Sequence, residues 1–380
     1  MRNIRKRMNW VVLCGILLAA ACGGANAEAK TISVSGTSIQ AAINAAVSGD
    51  VIVVNAGTYK EQLSIVSKSG ITLQASGAVL IDGTGMKVPS GDSQMVLIKN
   101  SANITFQGFE VANYVTSSSS AFNKGIMVTG SGSYIKILGN KVHNIVNTNA
   151  NGGAHGIAAY GTNSTSSINN LVIDSNEVYG LKTGWSESVV LNGNVERFAV
   201  TNNHVHDNNN IGIDFIGWEG TATGAVDRAR NGVCSGNYVH NISSKTNPSY
   251  GGDKCADGIY VDGGTQITIS NNRVEYCDIG IELGSEHKGK DTSYITVTGN
   301  TDRCNITGLY LGGYDSKRGQ TNNCTIQNNI IQANTGEQVC FQYYCYNNIL
   351  TNNTISKVNA ISYVKASTCS GNVTSPNTLL

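Results

Sequence analysis

The 380-residue sequence is poor in charged residues and in proline: Asp, Glu, Lys and Arg together make up 13%, and there are three prolines. Soluble domains average about 25% charged residues. The low charge argues against a charged coiled coil, and a hydrophobic content of 40% argues against a disordered chain. Few segments read as helices, whereas 44 glycines supply turns. The composition therefore indicates a β-rich protein with many turns.

Residues 1–27 read as a secretory signal. Four basic residues precede an apolar run from Trp10 to Ala21, and Ala25-Asn26-Ala27 offers a small-x-small cleavage site. Lipoprotein processing at Cys22, which would leave a lipid anchor, is the alternative. No later segment is long and apolar enough to span a membrane. We therefore expect an exported protein that is periplasmic, extracellular or anchored at the surface.

Without residues 1–27 the net charge is 22 − 25 = −3. The chain therefore lacks the net positive charge that is typical of nucleic-acid-binding proteins. Eight cysteines remain, all in the C-terminal half. An even number in an exported chain favours disulfides, and the lack of a Cys-x-x-Cys pair argues against zinc.

A repeat runs through the chain. Each copy has an asparagine two residues before an aliphatic residue, as in Asn140-Lys141-Val142 and Asn176-Glu177-Val178, and successive copies are 24 to 36 residues apart. Between the copies lies a Gly-Ile element, as in Gly156-Ile157. Such units cannot bury an apolar face alone, so they must stack as a solenoid. The asparagines suit turns and can hydrogen-bond their equivalents one coil away. One inward column is expected from Val142, Val178, Val205, Val239, Val274, Ile331 and Ile355.

With this repeat the sequence resembles the right-handed parallel β-helix proteins of the pectate-lyase-like superfamily. The resemblance covers nearly all of residues 28–380 and implies an all-β fold, but it does not imply a particular chemistry. Thr31–Val34 reads as the first strand. Residues 38–46 read as a short helix begun by Thr37 or Ser38, which would cover the open edge of the first coil. We predict one domain over residues 28–380.

Period-2 alternation predicts which side chains point away from the coils. In Ile213-Asp214-Phe215 the apolar residues point inward, so Asp214 points outward. The same register turns Tyr260, Asp262, Glu282 and Tyr310 outward, whereas Met127 and Ala158 hold the earlier outward positions. Asp214, Asp262 and Glu282 are therefore the predicted catalytic residues, and we expect them to face water.

Long insertions leave the same corner of three coils, after Ile213, Ile281 and Leu309, and residues 145–155 and 243–256 could form an opposing wall. A polymer-binding groove between these walls is expected. The predicted substrate-binding residues are Trp218, Glu219, Arg228, Arg230, Tyr260, Glu286, His287, Lys288 and Tyr310.

His204-Val205-His206 has a metal-like spacing, but a structural role is the preferred interpretation. His143, Tyr179, His206, His240 and Glu275 all fall three residues after a repeat asparagine and should form a stacked column. Cys277 and Cys304 fall at similar points of adjacent coils, so a disulfide between them is geometrically reasonable.

Three functions fit these residues. A glycoside hydrolase, the preferred hypothesis, would use Asp214, Asp262 and Glu282 as acid and base on a polysaccharide. A uronate polysaccharide lyase or epimerase would instead use these acids as possible Ca²⁺ ligands, with a separate base. The candidate bases are Lys288, His287, Arg228 and Tyr260.

A non-catalytic glycan-binding surface protein is the third possibility, and a monomer is expected for all three. The polygalacturonase motif set and the Arg-x-Pro-x-x-Arg signature of the main pectate lyase family are absent. Gly212-Ile213-Asp214-Phe215 is similar to the Tyr-Gly-Phe-Asp-Pro-His segment of alginate epimerases only at Asp214. The sequence therefore leaves the three functions open, with no cofactor required and Ca²⁺ as a possible ligand.

Overall fold

The computed structural model describes residues 28–380, so the predicted signal sequence and the possible anchor at Cys22 lie outside the described residues. Every named strand pairs in parallel with a strand one coil away. The chain is therefore a right-handed parallel β-helix, which confirms the predicted fold class. Among residues 28–380, no helix has the length and apolarity needed to cross a membrane.

The strands are short and follow one another along the whole described chain. They are β1 (Thr31–Val34), β2 (Val51–Tyr59), β3 (Leu63–Val66), β4 (Ser69–Asp82), β5 (Gly91–Gln107), β6 (Glu110–Thr116), β7 (Ala121–Ser133), β8 (Lys136–Leu138), β9 (Lys141–Asn147), β10 (Gly153–Gly161), β11 (Ile168–Asn169), β12 (Val172–Asp174), β13 (Glu177–Tyr179), β14 (Val189–Gly193), β15 (Val195–Glu196), β16 (Ala199–Thr201), β17 (His204–Asn208), β18 (Ile213–Ile216), β19 (Arg230–Ser235), β20 (Tyr238–Ile242), β21 (Asp257–Asp262), β22 (Thr265–Ser270), β23 (Arg273–Glu275), β24 (Ile279–Gly284), β25 (Asp291–Ser293), β26 (Thr296–Thr298), β27 (Thr301–Arg303), β28 (Thr307–Leu311), β29 (Gln320–Asn322), β30 (Thr325–Gln327), β31 (Ile330–Gln332), β32 (Val339–Phe341), β33 (Cys345–Tyr346), β34 (Ile349–Thr351), β35 (Thr354–Ile355), β36 (Ile361–Tyr363) and β37 (Thr378–Leu379).

The helices are few and short. The α-helix α1 spans Ile39–Ala45, and 3₁₀ turns span Gly224–Val226, Ser244–Thr246, Pro248–Tyr250 and Ala366–Thr368. The hydroxyl of Ser38 accepts a hydrogen bond from the backbone N–H of Ala41 and caps α1, as predicted. Ile39 and Ile43 are fully buried against β1, β2 and β3. The helix thus covers the first coil.

Three stacks of strands form the faces of the β-helix. Stack 1 runs through β3, β5, β7, β10, β14, β18, β21, β24, β28, β32 and β36. Stack 2 runs through β4, β5, β8, β12, β16, β19, β22, β26, β30 and β34. Stack 3 runs through β4, β6, β9, β13, β17, β20, β23, β27, β31, β35 and β37.

The inward column predicted from the repeat lies in stack 3. Its aliphatic residues, from Val142 to Ile355, are at most 2% exposed. One carboxyl interrupts the column, because Asp302 pairs with Val274 on one side and Ile331 on the other. Asp302 is 1% exposed, and burial raises the pKa of its carboxyl well above the usual range.

A ladder of asparagines joins the coils between stacks 2 and 3. The side-chain oxygen of Asn203 accepts hydrogen bonds from the backbone N–H and the side-chain amide of Asn176, at 2.9 and 3.0 Å. Its own amide group donates to the Ile173 carbonyl oxygen. The left-handed conformation falls on the residue before the ladder asparagine, such as Asn202 with φ 53°. The same pattern continues through Asn140, Asn176, Asn203, Asn237, Asn272, Asn300, Asn329, Asn353 and Asn377.

The predicted disulfides are not present. All eight cysteines in residues 28–380 are free thiols, including Cys277 and Cys304. Cys277 lies in the hydrophobic core at 3% exposure, whereas Cys304 lies at a turn with φ 58°. Similar positions in adjacent coils therefore do not bring the two sulfurs together, since the Cys277 side chain packs in the core and Cys304 lies at a turn.

Candidate functional site

Asp214, Tyr260, Glu282 and Tyr310 form one outward column on stack 1. Asp214 pairs with Tyr260, Tyr260 with Glu282, and Glu282 with Tyr310 on successive coils. The alternating apolar residues on either side of each are buried in the core, as the sequence register requires. On the N-terminal side the same column continues through Val190, Ala158 and Met127, which form a small apolar cluster.

Two further carboxyls flank this column on β21. Asp262 follows Tyr260 by two residues and pairs with Gly284, and Asp257 precedes Tyr260 by three residues and pairs with Ile279. The structure therefore brings Asp214, Asp262 and Glu282 to one face and adds Asp257, which the sequence analysis did not single out.

These carboxyls point away from the coil interior but do not face water, so the expectation of solvent exposure is wrong. Asp214, Asp257, Asp262 and Glu282 are 2%, 3%, 4% and 6% exposed. The segment after β24 folds over the face, and the backbone N–H of Glu286 donates to Asp262 Oδ1 at 2.7 Å. The insertions cover a face that alternation alone would leave open.

Burial raises the pKa of each of these carboxyls. The pKa of Asp214 is raised well above its usual range by desolvation and then by the charges of Glu187 and Asp262. Desolvation raises the pKa of Glu282 to about 8. A hydrogen bond between Asp257 and Glu282 raises the pKa of Asp257 further and opposes the rise for Glu282. The Asp257–Glu282 pair therefore holds a proton at neutral pH.

No basic side chain pairs with these four acids in residues 28–380. Asp214 Oδ1 and Asp257 Oδ1 are buried and have no hydrogen-bond partner. A buried polar atom without a partner costs free energy. Such atoms at the centre of a face are typical of a site that a ligand completes.

The N-terminal side of the site contains four residues that the sequence analysis missed. Tyr160 Oη is 3.2 Å from His155 Nε2, and His155 Nδ1 is 3.1 Å from the Glu187 carbonyl oxygen. Lys124 Nζ lies 2.5 Å from Asp92 Oδ1. Burial, followed by the nearby charge of Lys124, lowers the pKa of His155 to about 3, so its ring is neutral. Burial raises the pKa of Glu187 to about 8.

A sequence signal for these residues existed. Lys124, His155 and Asp257 each stand immediately before a Gly-Ile element. The analysis considered the outward residue after that element but not the one before it. A Cβ at Gly125 would lie 2.6 Å from Val142 Cγ1 and one at Gly156 would lie 2.6 Å from Val178 Cγ1, so these glycines face the core next to the inward isoleucine.

The loop residues Glu219 and His287 meet at the rim of the site. One ligand atom from each, together with one from Asp262, lies within 4.8 Å of the other two. Glu219 and Glu286 are exposed, and His287 is half-buried. The trio predicted to hold Ca²⁺, Asp214, Asp262 and Glu282, does not form such a group among the described residues.

Three of the predicted substrate-binding residues, Trp218, Arg228 and Arg230, contact neighbouring protein groups. Arg228 is 8% exposed and donates to the carbonyl oxygens of Gly264 and Asp291. Arg228 Cζ lies 4.6 Å and Lys290 Nζ 4.5 Å from the centroid of the Trp218 ring. Two cationic side chains therefore pack on this half-buried ring.

Arg230 also has structural partners, since it donates to Asn194 Oδ1 at 2.8 Å and lies 3.2 Å from Glu196 Oε2. Lys288 is exposed and lines a depression with Arg318 and Tyr344 rather than with the acids.

The tyrosines at the site are held differently. Tyr260 is 5% exposed, whereas Tyr310 is half-buried and its hydroxyl lies 3.2 Å from Thr307 Oγ1. A methyl group at Gly284 would lie 3.2 Å from Tyr260 Oη and 3.3 Å from Glu282 Oε1. It would also lie 2.8 Å from the Gly312 carbonyl oxygen, so a larger residue at position 284 would crowd both groups.

Sequence comparison identifies a relative. The chain is 39% identical over 324 residues to the uncharacterized protein YwoF of Bacillus subtilis (strain 168), covering 82% of this chain and 68% of YwoF. The chain belongs to the YwoF family. Residues 220–380 match the family model described as "Periplasmic copper-binding protein (NosD)".

Solved structures similar to the YwoF-family chain include an alginate lyase from Paenibacillus sp. str. FPU-7, with a TM-score of 0.59, 16% identity and coverage of 83% of this chain and 99% of the lyase. The GH136 lacto-N-biosidase from Eubacterium ramulus has a TM-score of 0.59 and 14% identity, with coverage of 92% of this chain and 68% of that structure. At these identities the likeness establishes the β-helix fold alone.

Proposed function

We propose that this protein is a glycoside hydrolase that cleaves a polysaccharide bound across stack 1, with Glu282 as general acid and Asp262 or Asp214 as general base. The observation that carries the proposal is the row of four buried carboxyls on one face with no cationic partner, where burial favours the protonated form of the Asp257–Glu282 pair by raising both pKa values. The fold neighbours titled alginate lyase and lacto-N-biosidase support a carbohydrate substrate. Export, as predicted from residues 1–27, would give the enzyme access to polymers outside the cell.

Glu282 suits the role of acid because desolvation raises the pKa of its carboxyl to about 8. A general acid must hold its proton at the working pH and give it to the leaving oxygen as the glycosidic bond breaks. The hydrogen bond with Asp257 opposes this rise, but desolvation is the larger effect and the pKa of Glu282 stays raised.

Asp262 suits the role of base better than the other acids. The N–H of Glu286 donates to its carboxylate, which favours the ionised form against the effect of burial. Asp262 and Glu282 lie on adjacent coils, two positions apart in register. With about 4.8 Å between coils and about 3.3 Å per residue, their Cα atoms are roughly 8 Å apart. Inverting enzymes place their carboxyl groups about 6.5–9.5 Å apart, a separation that these Cα positions allow if the two side chains run parallel, so we expect inversion.

The charge of the site favours neutral sugars over uronates. The acids at its centre have no basic partner, and Lys124 at its edge is already paired with Asp92. An acidic sugar would place another negative charge among carboxyls without a free cation to receive it. A neutral glycan avoids this repulsion and can donate hydroxyl hydrogen bonds to Asp214 Oδ1 and Asp257 Oδ1.

One observation supports the alternative, a uronate lyase or epimerase. Tyr160 and the neutral His155 are hydrogen-bonded, and a tyrosine–histidine pair can remove a proton next to a carboxylate. Such an enzyme must also neutralise the substrate carboxylate. Glu219, Asp262 and His287 could hold a cation for this purpose, although one imidazole and two carboxylates suit zinc better than calcium.

The test is a panel of neutral and uronate polysaccharides, assayed with and without a chelator. We expect reducing sugars from a neutral polymer, no unsaturated product absorbing near 235 nm, and no effect of the chelator. NMR of the first product should show an inverted anomer. Glu282→Gln and Asp262→Asn should each lower kcat by about 10²–10⁴-fold. Asp302→Asn, which changes a buried acid of stack 3, is the matched control and should keep full activity.

Unsaturated products that disappear in Tyr160→Phe would favour the lyase and overturn the hydrolase. Full activity in Glu282→Gln would remove the proposed acid. Binding without turnover across the panel would leave the glycan-binding protein as the function.

A further inference from the structure

Three histidines form a cluster on stack 3, away from the acidic site on stack 1. His204 and His206 lie on either side of the buried Val205 in β17, and His240 of β20 pairs with His206. Nε2 of His204 is 2.9 Å from Nε2 of His240. One ring nitrogen from each of the three lies within 4.8 Å of the other two.

These distances suit a shared metal ion. With a Zn–N bond of about 2.0–2.1 Å and tetrahedral angles, two nitrogens on one zinc ion are about 3.3 Å apart. His204 and His240 already lie near this separation, and a side-chain rotation of His206 would bring its nitrogen to the same ion. All three rings are half-buried, so an ion can reach them from solvent.

The surroundings of His206 prepare it as a ligand. Its Nδ1 lies 2.7 Å from Asp207 Oδ2, which places the proton on Nδ1 and leaves the lone pair on Nε2. That Nε2 atom is buried without a hydrogen-bond partner, and Glu177 Oε1 lies 3.5 Å from it. Glu177 therefore adds a carboxylate beside the three imidazoles.

Ring stacking explains only part of this arrangement. His206 lies between Tyr179 and His240, with ring centroids 5.1 Å apart on each side, as the predicted stacked column requires. His204 is also stacked, on Tyr238 at 5.2 Å and on His206 at 4.1 Å. Stacking alone does not require Nε2 of His204 to lie 2.9 Å from Nε2 of His240, which is the contact that a shared metal ion would explain.

We propose that His204, His206 and His240 form a binding site for a divalent transition-metal ion, with Glu177 as a fourth ligand. Imidazole ligands suit Zn²⁺, Cu²⁺ and Ni²⁺, whereas Ca²⁺ prefers oxygen. The family description that names copper matches residues 220–380, and two of the three histidines precede that range. The proposal therefore rests on the geometry of the cluster.

The test uses the chain without a polyhistidine tag, freed of metal by a chelator and titrated with ZnCl₂ and CuCl₂ by calorimetry. We expect one equivalent of bound metal in the wild type and at least tenfold weaker binding in the double variant His204→Asn/His240→Asn. The matched control is His143→Asn. His143 lies two coils away in the same column, with its Nε2 bonded to Glu110 Oε1 at 2.9 Å, and its loss should leave binding unchanged.

Thermal unfolding gives a readout that does not depend on catalysis. Zn²⁺ should raise the Tm of the wild type and of His143→Asn but not that of the double variant. If the double variant lacks the wild-type circular dichroism spectrum, the single variant His204→Gln replaces it. Absence of saturable binding in the wild type, or equal loss in His143→Asn, would overturn the proposal.

Discussion

Stack 1 has two regions with the same backbone and different outward chemistry. In the coils of β7, β10 and β14 the outward column holds Met127, Ala158 and Val190, whereas from β18 onward it holds Asp214, Tyr260 and Glu282. The inward neighbours remain aliphatic in both regions. In this fold the inward residues specify the coil, so the outward residues can change chemistry without changing the register.

The largest effect on stability is expected when an acid is placed one coil further into the apolar region. Val190 is fully buried beside Met127 and Ala158, so Val190→Asp places a carboxyl in an apolar environment. We expect a loss of about 3–5 kcal/mol in the free energy of unfolding, measured with urea at pH 7. Val190→Thr keeps the shape and should cost less than half as much. An equal cost for the two variants would mean that the region tolerates charge.

The asparagine ladder should contribute equally to both regions. Asn176 and Asn300 each connect to the next asparagine through the same two hydrogen bonds. Replacing either by Ala leaves buried backbone groups without a partner and should cost about 1–3 kcal/mol for each such group. The two variants should agree within about 0.5 kcal/mol in urea unfolding. A large difference would show that the acidic region changes the stability of the coils themselves.

The acidic region should also make stability depend on pH. The folded protein holds protons on Glu282 and Glu187, whose pKa values are about 8, whereas unfolded glutamates titrate near 4.3. Because the pKa of these two glutamates is higher in the folded state, the stability that they contribute is fully present at low pH and is lost as the pH rises through 8. Between pH 6.5 and 8 these two glutamates should lower the free energy of unfolding by up to about 1.4 kcal/mol per pH unit for each proton released.

Glu282→Gln should flatten this slope, and Val190→Thr, in the apolar region, should leave it unchanged. Urea unfolding of the three proteins at pH 6.5, 7.2 and 8 measures the difference. A wild-type stability that rises over this interval would contradict the protonated state of the site.

The sequence predicted the fold well because the fold depends on local, repeated signals. The first strand, the capped helix, the inward valine column and the asparagine ladder each follow from residue type and spacing. The register of Asp214, Tyr260 and Glu282 follows from alternation in the same way. These features need no knowledge of how distant loops pack.

The features that sequence reasoning missed depend on contacts between distant segments. The burial of Asp214 and Asp262 depends on where the loops fold, and the spacing of the residues does not encode that. Trp218 and Arg228 are predicted to bind substrate, but in the structure the Trp218 ring contacts Lys290 and Arg228 donates to the carbonyl oxygen of Asp291. The free cysteines show the same limit, since pairing needs sulfurs that face each other.

The asparagine ladder has a consequence for how such a chain can change in length. Each ladder asparagine makes the same hydrogen bonds to the asparagine one coil before it and to the one a coil after it. The geometry of the ladder therefore does not depend on the number of coils. A duplication or loss of one complete coil would leave every remaining ladder asparagine satisfied. The outward column of stack 1 could thus lengthen or shorten in steps of about 4.8 Å, one coil at a time.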